Sequence, residues 1–208
     1  MYRATFAFLA LAAVTGCRSS DPIQPPAMQH NSPAEMALRN PELEKSPEVQ
    51  SGLAQIREAT AAYHDFDTAV AAGYTVWSPD PATTACPSSA EGNMGYHKVN
   101  VSLRGSAANP AAGDAVIDPL RPEMLLYEKM ANGKMRLVGV EYLVFTAAWE
   151  AAHGAGAAPP EVFGQPLLAS SHTFPGGTGN IAHYELHVWV WSPNPLGMFY
   201  PWNPNITC

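Results

Sequence analysis

The segment EMLLYEKMANGKMRLVGVEYLVF, residues 123–145, determines the class of fold that this sequence predicts. Its two halves, 123–130 and 135–145, are rich in Val, Leu, Met and Tyr, and successive side chains would point to opposite faces of a β-strand. Between them stands Asn132-Gly133, a dipeptide typical of the tight turn in a β-hairpin. We therefore expect two antiparallel strands that are neighbours in a sheet.

Two further strands are predicted outside this hairpin. Their sequences are YHKVNVSL at 96–103 and AHYELHVWVW at 182–191, and both are bounded by Gly, Pro or Asn. Residues 146–180 form an Ala/Gly/Pro-rich connection that is too long for a simple turn. Connections of this length are often binding loops, although mobile surface chain is the alternative.

A helix is predicted upstream of the strands. Ser46, Pro47 and Glu48 supply an N-cap, a proline at the first helical position and an acidic first turn. Apolar side chains then recur at helical spacing, and a shorter helical stretch at 67–72 ends at Gly73. The sequence thus predicts an α+β fold, with an N-terminal helix followed by an antiparallel sheet of four or more strands that could curl toward a barrel.

The first 17 residues, MYRATFAFLALAAVTGC, have the layout of an export signal. Arg3 precedes an apolar run that is too short to span a bilayer, and small residues precede Cys17. VTGC is typical of the lipobox of bacterial lipoproteins, in which cleavage leaves a lipidated Cys17 as the new N-terminus. A plain signal peptide or a short buried helix are the alternatives. Because Arg18 rather than aspartate follows the cysteine, we expect an outer-membrane lipoprotein that faces the periplasm.

Removal of a signal peptide at 1–16 divides the remaining chain into a linker and one domain. Residues 17–47 are rich in Pro, Ser, Asn and Gln, which predicts a lipidated tether. Residues 48–208 suffice for a single domain with one hydrophobic core.

The charge balance is acidic. The chain has 18 Asp and Glu residues against 11 Lys and Arg, and loss of Arg3 with the signal peptide leaves 10 basic residues. Binding to a phosphate backbone requires clustered Lys and Arg, and the sequence has no such cluster. We expect the membrane, through the lipid anchor, and a small molecule or envelope component as partners, and no nucleic acid.

Lipidation of Cys17 leaves Cys86 and Cys208, which in an oxidising compartment are expected to form one disulfide. Such a bond would hold the last ten residues, FYPWNPNITC, across the domain as a strap whose rings cover apolar surface. A redox-active or metal-binding cysteine pair is the alternative. The wide separation of the two cysteines in sequence favours the structural bond.

Each predicted strand carries a titratable side chain on an apolar face, and these residues are His97, Glu128, Glu141 and His187. If the strand registers agree, two imidazoles and two carboxylates converge on one pocket. Nitrogen and oxygen ligands of this kind suit a divalent metal such as Zn, Fe or Mn, with open positions for water or substrate. The opposite faces are expected to pack against the helix through Tyr127, Val138, Val140, Tyr142, Leu186 and Val188.

The same residues have other possible roles. His97 and Glu128 could pair in the core and hold strand register, or the four residues could form an acid–base site without metal. His183 and His187 would lie about 13 Å apart on a strand and cannot bind the same ion. A non-catalytic module could instead bind a small ligand or a protein partner through an aromatic-lined surface formed by Trp189, Trp191 and Trp202.

Several spaced motifs resemble a family of uncharacterised exported bacterial proteins and lipoproteins. These motifs are MGYHKVN, PEMLLYE, LVGVEYLV, FGQP and the terminal LHVWVWSPNPLGMFYPWNPNITC, together with AVAAGY at the end of a helix. The resemblance covers residues 55–208. It implies no particular activity, but it implies that His97, Glu128, Glu141 and His187 lie inside motifs of the family.

Overall fold

The computed structural model describes Met1, residues 33–39 and residues 41–208. The predicted lipidation site Cys17, and the predicted signal peptide apart from Met1, lie outside the described residues. Within these ranges, no helix combines the length and the apolar character that are needed to cross a bilayer.

The described residues form six α-helices and ten β-strands. The α-helices are α1 (Pro33–Ala37), α2 (Pro41–Glu44), α3 (Pro47–Thr60), α4 (Phe66–Ala71), α5 (Val101–Arg104) and α6 (Thr146–His153). The strands are β1 (Val76–Ser78), β2 (Ser88–Ser89), β3 (Gly92–Asn93), β4 (Tyr96–Val99), β5 (Met124–Lys129), β6 (Met135–Phe145), β7 (Glu161–Val162), β8 (Gln165–Pro166), β9 (Leu168–Thr173) and β10 (Asn180–Val188). The prediction of an α+β fold is confirmed.

Six strands form one antiparallel sheet in the order β1-β4-β5-β6-β10-β9. Strands β1 and β9 lie at its two edges, so the sheet is open and does not close into a barrel. The predicted hairpin is confirmed, because β5 and β6 are neighbours. In its turn Gly133 has φ 79°, a conformation that glycine adopts without steric cost.

Helix α3 packs on one face of this sheet and completes the main core. The predicted N-cap is confirmed, since the Ser46 hydroxyl accepts a hydrogen bond of 3.2 Å from the backbone N–H of Val49. Leu53 and Ile56 are fully buried, and burial of such side chains contributes about 1.5–3 kcal/mol each. They share a cluster with sheet residues Leu125, Tyr127, Leu137, Val140, Tyr142, Leu186 and Val188.

A β-bulge changes which side chains of β6 face the helix. Leu126 pairs with Gly139 whereas the next residue, Tyr127, pairs with Leu137, so Val138 is an extra residue in β6. Leu137 therefore joins the helix-side core, and Val138 packs with Leu126 on the opposite side. The prediction that Val138 faces the helix is wrong, because strict alternation takes no account of a bulge.

Three other elements differ from the predictions. The strand predicted at 96–103 ends at Val99, because the Asn100 side chain accepts a hydrogen bond from the N–H of Ser102 and caps α5. The connection at 146–180 contains α6 and the edge strand β9. Residues 33–44, predicted as linker, contain α1 and α2, and the adjoining Leu38 is buried in the main core.

The C-terminal strap crosses the domain. The predicted disulfide between Cys86 and Cys208 is confirmed, with the two Cα atoms 5.6 Å apart. Asn93 and Asn203 exchange two backbone hydrogen bonds of 3.1 Å, which hold the strap beside β3. Four apolar side chains of the strap are buried, namely Phe199, Tyr200, Trp202 and Ile206.

Candidate metal centre

Three of the four predicted pocket residues lie together on the face of the sheet opposite α3. His97 lies on β4, Glu141 on β6 and His187 on β10. Glu141 and His187 are direct cross-strand partners, which places their side chains next to each other on one face. His97 pairs with Leu126 on the intervening strand β5, so its ring must extend across the sheet to reach them.

The ligand-type atoms of these residues surround a common point. The Nε2 atom of His97 lies 3.0 Å from the Oε2 atom of Glu141 and 3.4 Å from the Nε2 atom of His187. The Nε2 atom of His187 lies 3.7 Å from the same carboxylate oxygen. Tetrahedral ligands at bond lengths of about 2.05 Å would be about 3.3 Å apart, so the three separations fit one coordination sphere.

This triad is buried, and one of its atoms lacks a hydrogen bond. The side chains of His97, Glu141 and His187 are 9%, 3% and 2% exposed. Within the part of the chain that the structure describes, the Oε2 atom of Glu141 has no hydrogen bond of good geometry, although the Nε2 atom of His97 lies 3.0 Å away. Leaving a buried carboxylate oxygen unsatisfied costs about 1–3 kcal/mol or more, so such atoms normally have a partner.

Burial and mutual charge set the protonation states of two of these groups. Burial lowers the pKa of His187 below its usual value, and this effect exceeds the opposing attraction of Glu141. Burial acts to raise the pKa of Glu141, but His187 and His97 outweigh it and the pKa of this carboxyl is lowered. A neutral imidazole and an ionised carboxylate are the forms in which these side chains bind metals.

Glu128 is not part of this triad. Its Oε1 atom accepts hydrogen bonds from the backbone N–H and the hydroxyl of Thr207, at 2.9 and 2.6 Å, and its Oε2 atom accepts one of 2.9 Å from Arg136. Met124, which pairs with Glu141, is four residues from Glu128, or about 13 Å along β5. The predicted set of four is therefore corrected to three, and Glu128 instead anchors the strap.

A second cluster of ligand-type side chains lies on β9 and β10 and was missed by the sequence reasoning. The Oε2 atom of Glu185 lies 3.2 Å from the Nε2 atom of His183 and 3.8 Å from the Nε2 atom of His172. Ligand atoms of all three residues lie within 4.8 Å of one another. The sequence did contain a signal for it, because His183, Glu185 and His187 alternate along one strand and therefore share a face.

The tryptophans that could have formed an aromatic-lined surface lie largely inside the protein. Trp189 and Trp202 are 1% and 5% exposed, and the indole N–H of Trp189 donates a 2.6 Å hydrogen bond to the carbonyl of Tyr200. Trp191 is half-buried, and its indole N–H donates to the hydroxyl of Thr60. The three rings stabilise the packing of the strap and α3, so the His/Glu clusters are the more informative candidate site.

Comparisons with known proteins found no relative from which a function could be inferred. No protein family, no curated protein and no solved structure matches this chain. The resemblance to exported bacterial proteins therefore stays a prediction.

Proposed function

We propose that His97, Glu141 and His187 bind one divalent metal ion in a lipid-anchored protein of the bacterial envelope. The observation that carries the metal site is the buried Oε2 atom of Glu141, which has no hydrogen bond from any described residue and faces the Nε2 atoms of both histidines. A cation at the point where the three atoms converge would satisfy the carboxylate and use the lone pairs of both imidazoles.

A purely structural role explains this arrangement less well. A histidine and a glutamate that stabilise a core normally form a directed N–H···O hydrogen bond. Such a bond does form elsewhere in this protein, where the Nε2 atom of His183 lies 3.2 Å from the Oε2 atom of Glu185 with hydrogen-bond geometry. At Glu141 the two Nε2 atoms lie 3.0 and 3.7 Å from the Oε2 atom, yet neither makes a hydrogen bond of good geometry to it.

The composition of the triad indicates which ions it suits. Two imidazoles and one carboxylate match zinc, iron or manganese, and three protein ligands leave at least one coordination position for water or another molecule. The carboxylate and a divalent cation together carry one net positive charge. This charge favours an anionic or polarised oxygen at the open position, and a bound water would become more acidic.

The cellular location is proposed from the sequence, with one supporting observation from the structure. Residues 1–17 have the layout of a lipoprotein signal, and Cys17 would carry the lipid that makes the membrane a partner. The disulfide between Cys86 and Cys208 suits an oxidising compartment such as the periplasm. The excess of acidic over basic residues argues against nucleic acid as a partner.

Metal analysis of the protein without a polyhistidine tag tests the proposed site. We expect His187→Ala to reduce bound Zn²⁺ by one equivalent per chain without loss of the folded structure measured by circular dichroism. The matched control is His153→Ala, which removes an exposed histidine of α6 that belongs to neither His/Glu cluster. Equal zinc content in wild type and His187→Ala, or zinc binding that is equally weak in both, would overturn the proposal.

A further inference from the structure

We propose that His172, His183 and Glu185 form a second metal site, next to the first along strand β10. This goes beyond the proposed function, which requires only one ion. The Nε2 atoms of His183 and His172 lie 3.2 and 3.8 Å from the Oε2 atom of Glu185. This donor set, two imidazoles and one carboxylate, is the same as that of the first site.

The two histidines are oriented as metal-binding histidines are. The Nδ1 atom of His183 lies 2.8 Å from the carbonyl oxygen of Ile181, and that of His172 lies 3.4 Å from the carbonyl oxygen of Thr173. A neutral ring whose Nδ1–H donates to a carbonyl has the lone pair on Nε2, the atom that faces Glu185 in both cases. At His183 this atom makes a 3.2 Å hydrogen bond to Glu185, which a metal ion would replace. Metal-binding histidines usually donate their other N–H to a carbonyl or a carboxylate in this way.

The register of β10 places the two sites side by side. Glu185 and His187 are two residues apart, so they project from the same face with Cα atoms about 6.5–7 Å apart. Across the strand pair, Glu185 is opposite Leu143 and His187 is opposite Glu141.

The second site lies closer to solvent than the first. The side chain of His172 is 35% exposed on the edge strand β9, whereas those of Glu185 and His183 are 17% and 0% exposed. The ring of Phe174 covers the cluster, with its centroid 4.3 Å from that of His172 and 5.0 Å from that of His183. We therefore expect the second ion to exchange faster than the first, which is held by side chains at most 9% exposed.

Zinc stoichiometry distinguishes the two sites. We expect two equivalents of Zn²⁺ in the wild type, one in His172→Ala, one in His187→Ala and none in the double variant. His153→Ala serves as the control and should keep two. Glu185→Gln, which preserves side-chain volume, should also bind one equivalent and keeps the test valid if His172→Ala fails to fold.

Mn²⁺ supplies an independent readout of the distance between the sites. Two Mn²⁺ ions bound through Glu185 and His187, which are alternate residues of one strand, would broaden each other's electron paramagnetic resonance signal. We expect a broadened spectrum in the wild type and a resolved six-line spectrum of one bound ion in His172→Ala.

The possible failures can be told apart. If the wild type binds one equivalent and only His187→Ala loses it, the second site is refuted and the first stands. If His172→Ala and Glu185→Gln lose an equivalent but His187→Ala does not, the second site stands and the proposed function is refuted. A wild-type Mn²⁺ spectrum without broadening at two bound equivalents would refute the adjacency of the sites.

Discussion

Replacing Glu141 by Gln gives the sharpest test of whether this residue is a metal ligand or a core residue. The substitution keeps the shape of the side chain but removes the negative charge and one acceptor oxygen. The two interpretations predict opposite patterns of stability, because a core residue acts in the absence of metal and a ligand acts only in its presence.

The expected magnitudes follow from the surroundings of Glu141. Without metal, the Gln amide can donate to the Nε2 atom of His97, which lies 3.0 Å from the carboxylate oxygen. We therefore expect the free energy of unfolding to change by at most about 1 kcal/mol, whereas removing one partner of a buried structural ion pair costs about 3–5 kcal/mol. With free metal at 1,000 times the Kd, the wild type gains about 4.1 kcal/mol, and a variant unable to bind there gains none from this site.

Urea unfolding at pH 7.5, monitored by tryptophan fluorescence, measures the free energy of unfolding without metal in EDTA and with metal in buffered free Zn²⁺. A second metal site would stabilise wild type and variant equally, so the difference between their metal-dependent gains isolates Glu141. The control variant is Glu58→Gln, which removes an exposed carboxylate from α3. A loss of 3 kcal/mol or more in EDTA, or an equal gain from zinc in both proteins, would show that Glu141 is a structural residue.

Three further predictions concern the anchor and the strap. Cys17→Ser should release the protein from membranes and abolish its acylation, and unchanged partitioning on fractionation would contradict the lipoprotein assignment. Cys208→Ser should lower the free energy of unfolding by about 2–5 kcal/mol, since a disulfide that closes a loop with a sequence separation of 122 contributes up to about 5 kcal/mol; an unchanged urea midpoint would refute this. Thr207 and Arg136 outweigh burial and hold the pKa of Glu128 below its usual 4.5, so its contribution to stability is present above pH 4.5 and is lost as pH falls through the lowered pKa. Glu128→Gln should flatten the acid limb of the stability profile, which urea titrations between pH 2 and 6 would measure.

Local signals explain what could be predicted from the sequence. The cap at Ser46, the turn at Gly133 and the alternation within β5, β10 and residues 139–145 of β6 each depend on a few adjacent residues, and all appear in the structure. The disulfide could be predicted because assigning Cys17 to the predicted lipidation site leaves only one pair of cysteines.

The features that were missed depend on partners distant in sequence. Strand β9 reads LASSHT, which has little apolar alternation, and it forms because β10 offers an edge with which it pairs. The bulge at Val138 is a property of the pairing between β5 and β6 and has no signature within either strand.

The candidate site shows most clearly what the sequence could not predict, because the place of a side chain in a sheet depends both on its face and on its position along the strand. Alternation along a strand predicts the face, and it correctly assigned His97, Glu141 and His187 to one side. Position along the strand comes from register, which placed Glu128 about 13 Å beyond the residue that pairs with Glu141. The same distance separates His183 from His187 on β10, which is why the sequence excludes a shared ion for these two histidines. Glu185 lies between them on the same face, and with a neighbouring strand on each side of β10 one strand can supply ligands to two separate clusters. The distance of about 13 Å that prevents His183 and His187 from sharing one ion thus allows each of them to belong to a different one of the two adjacent clusters.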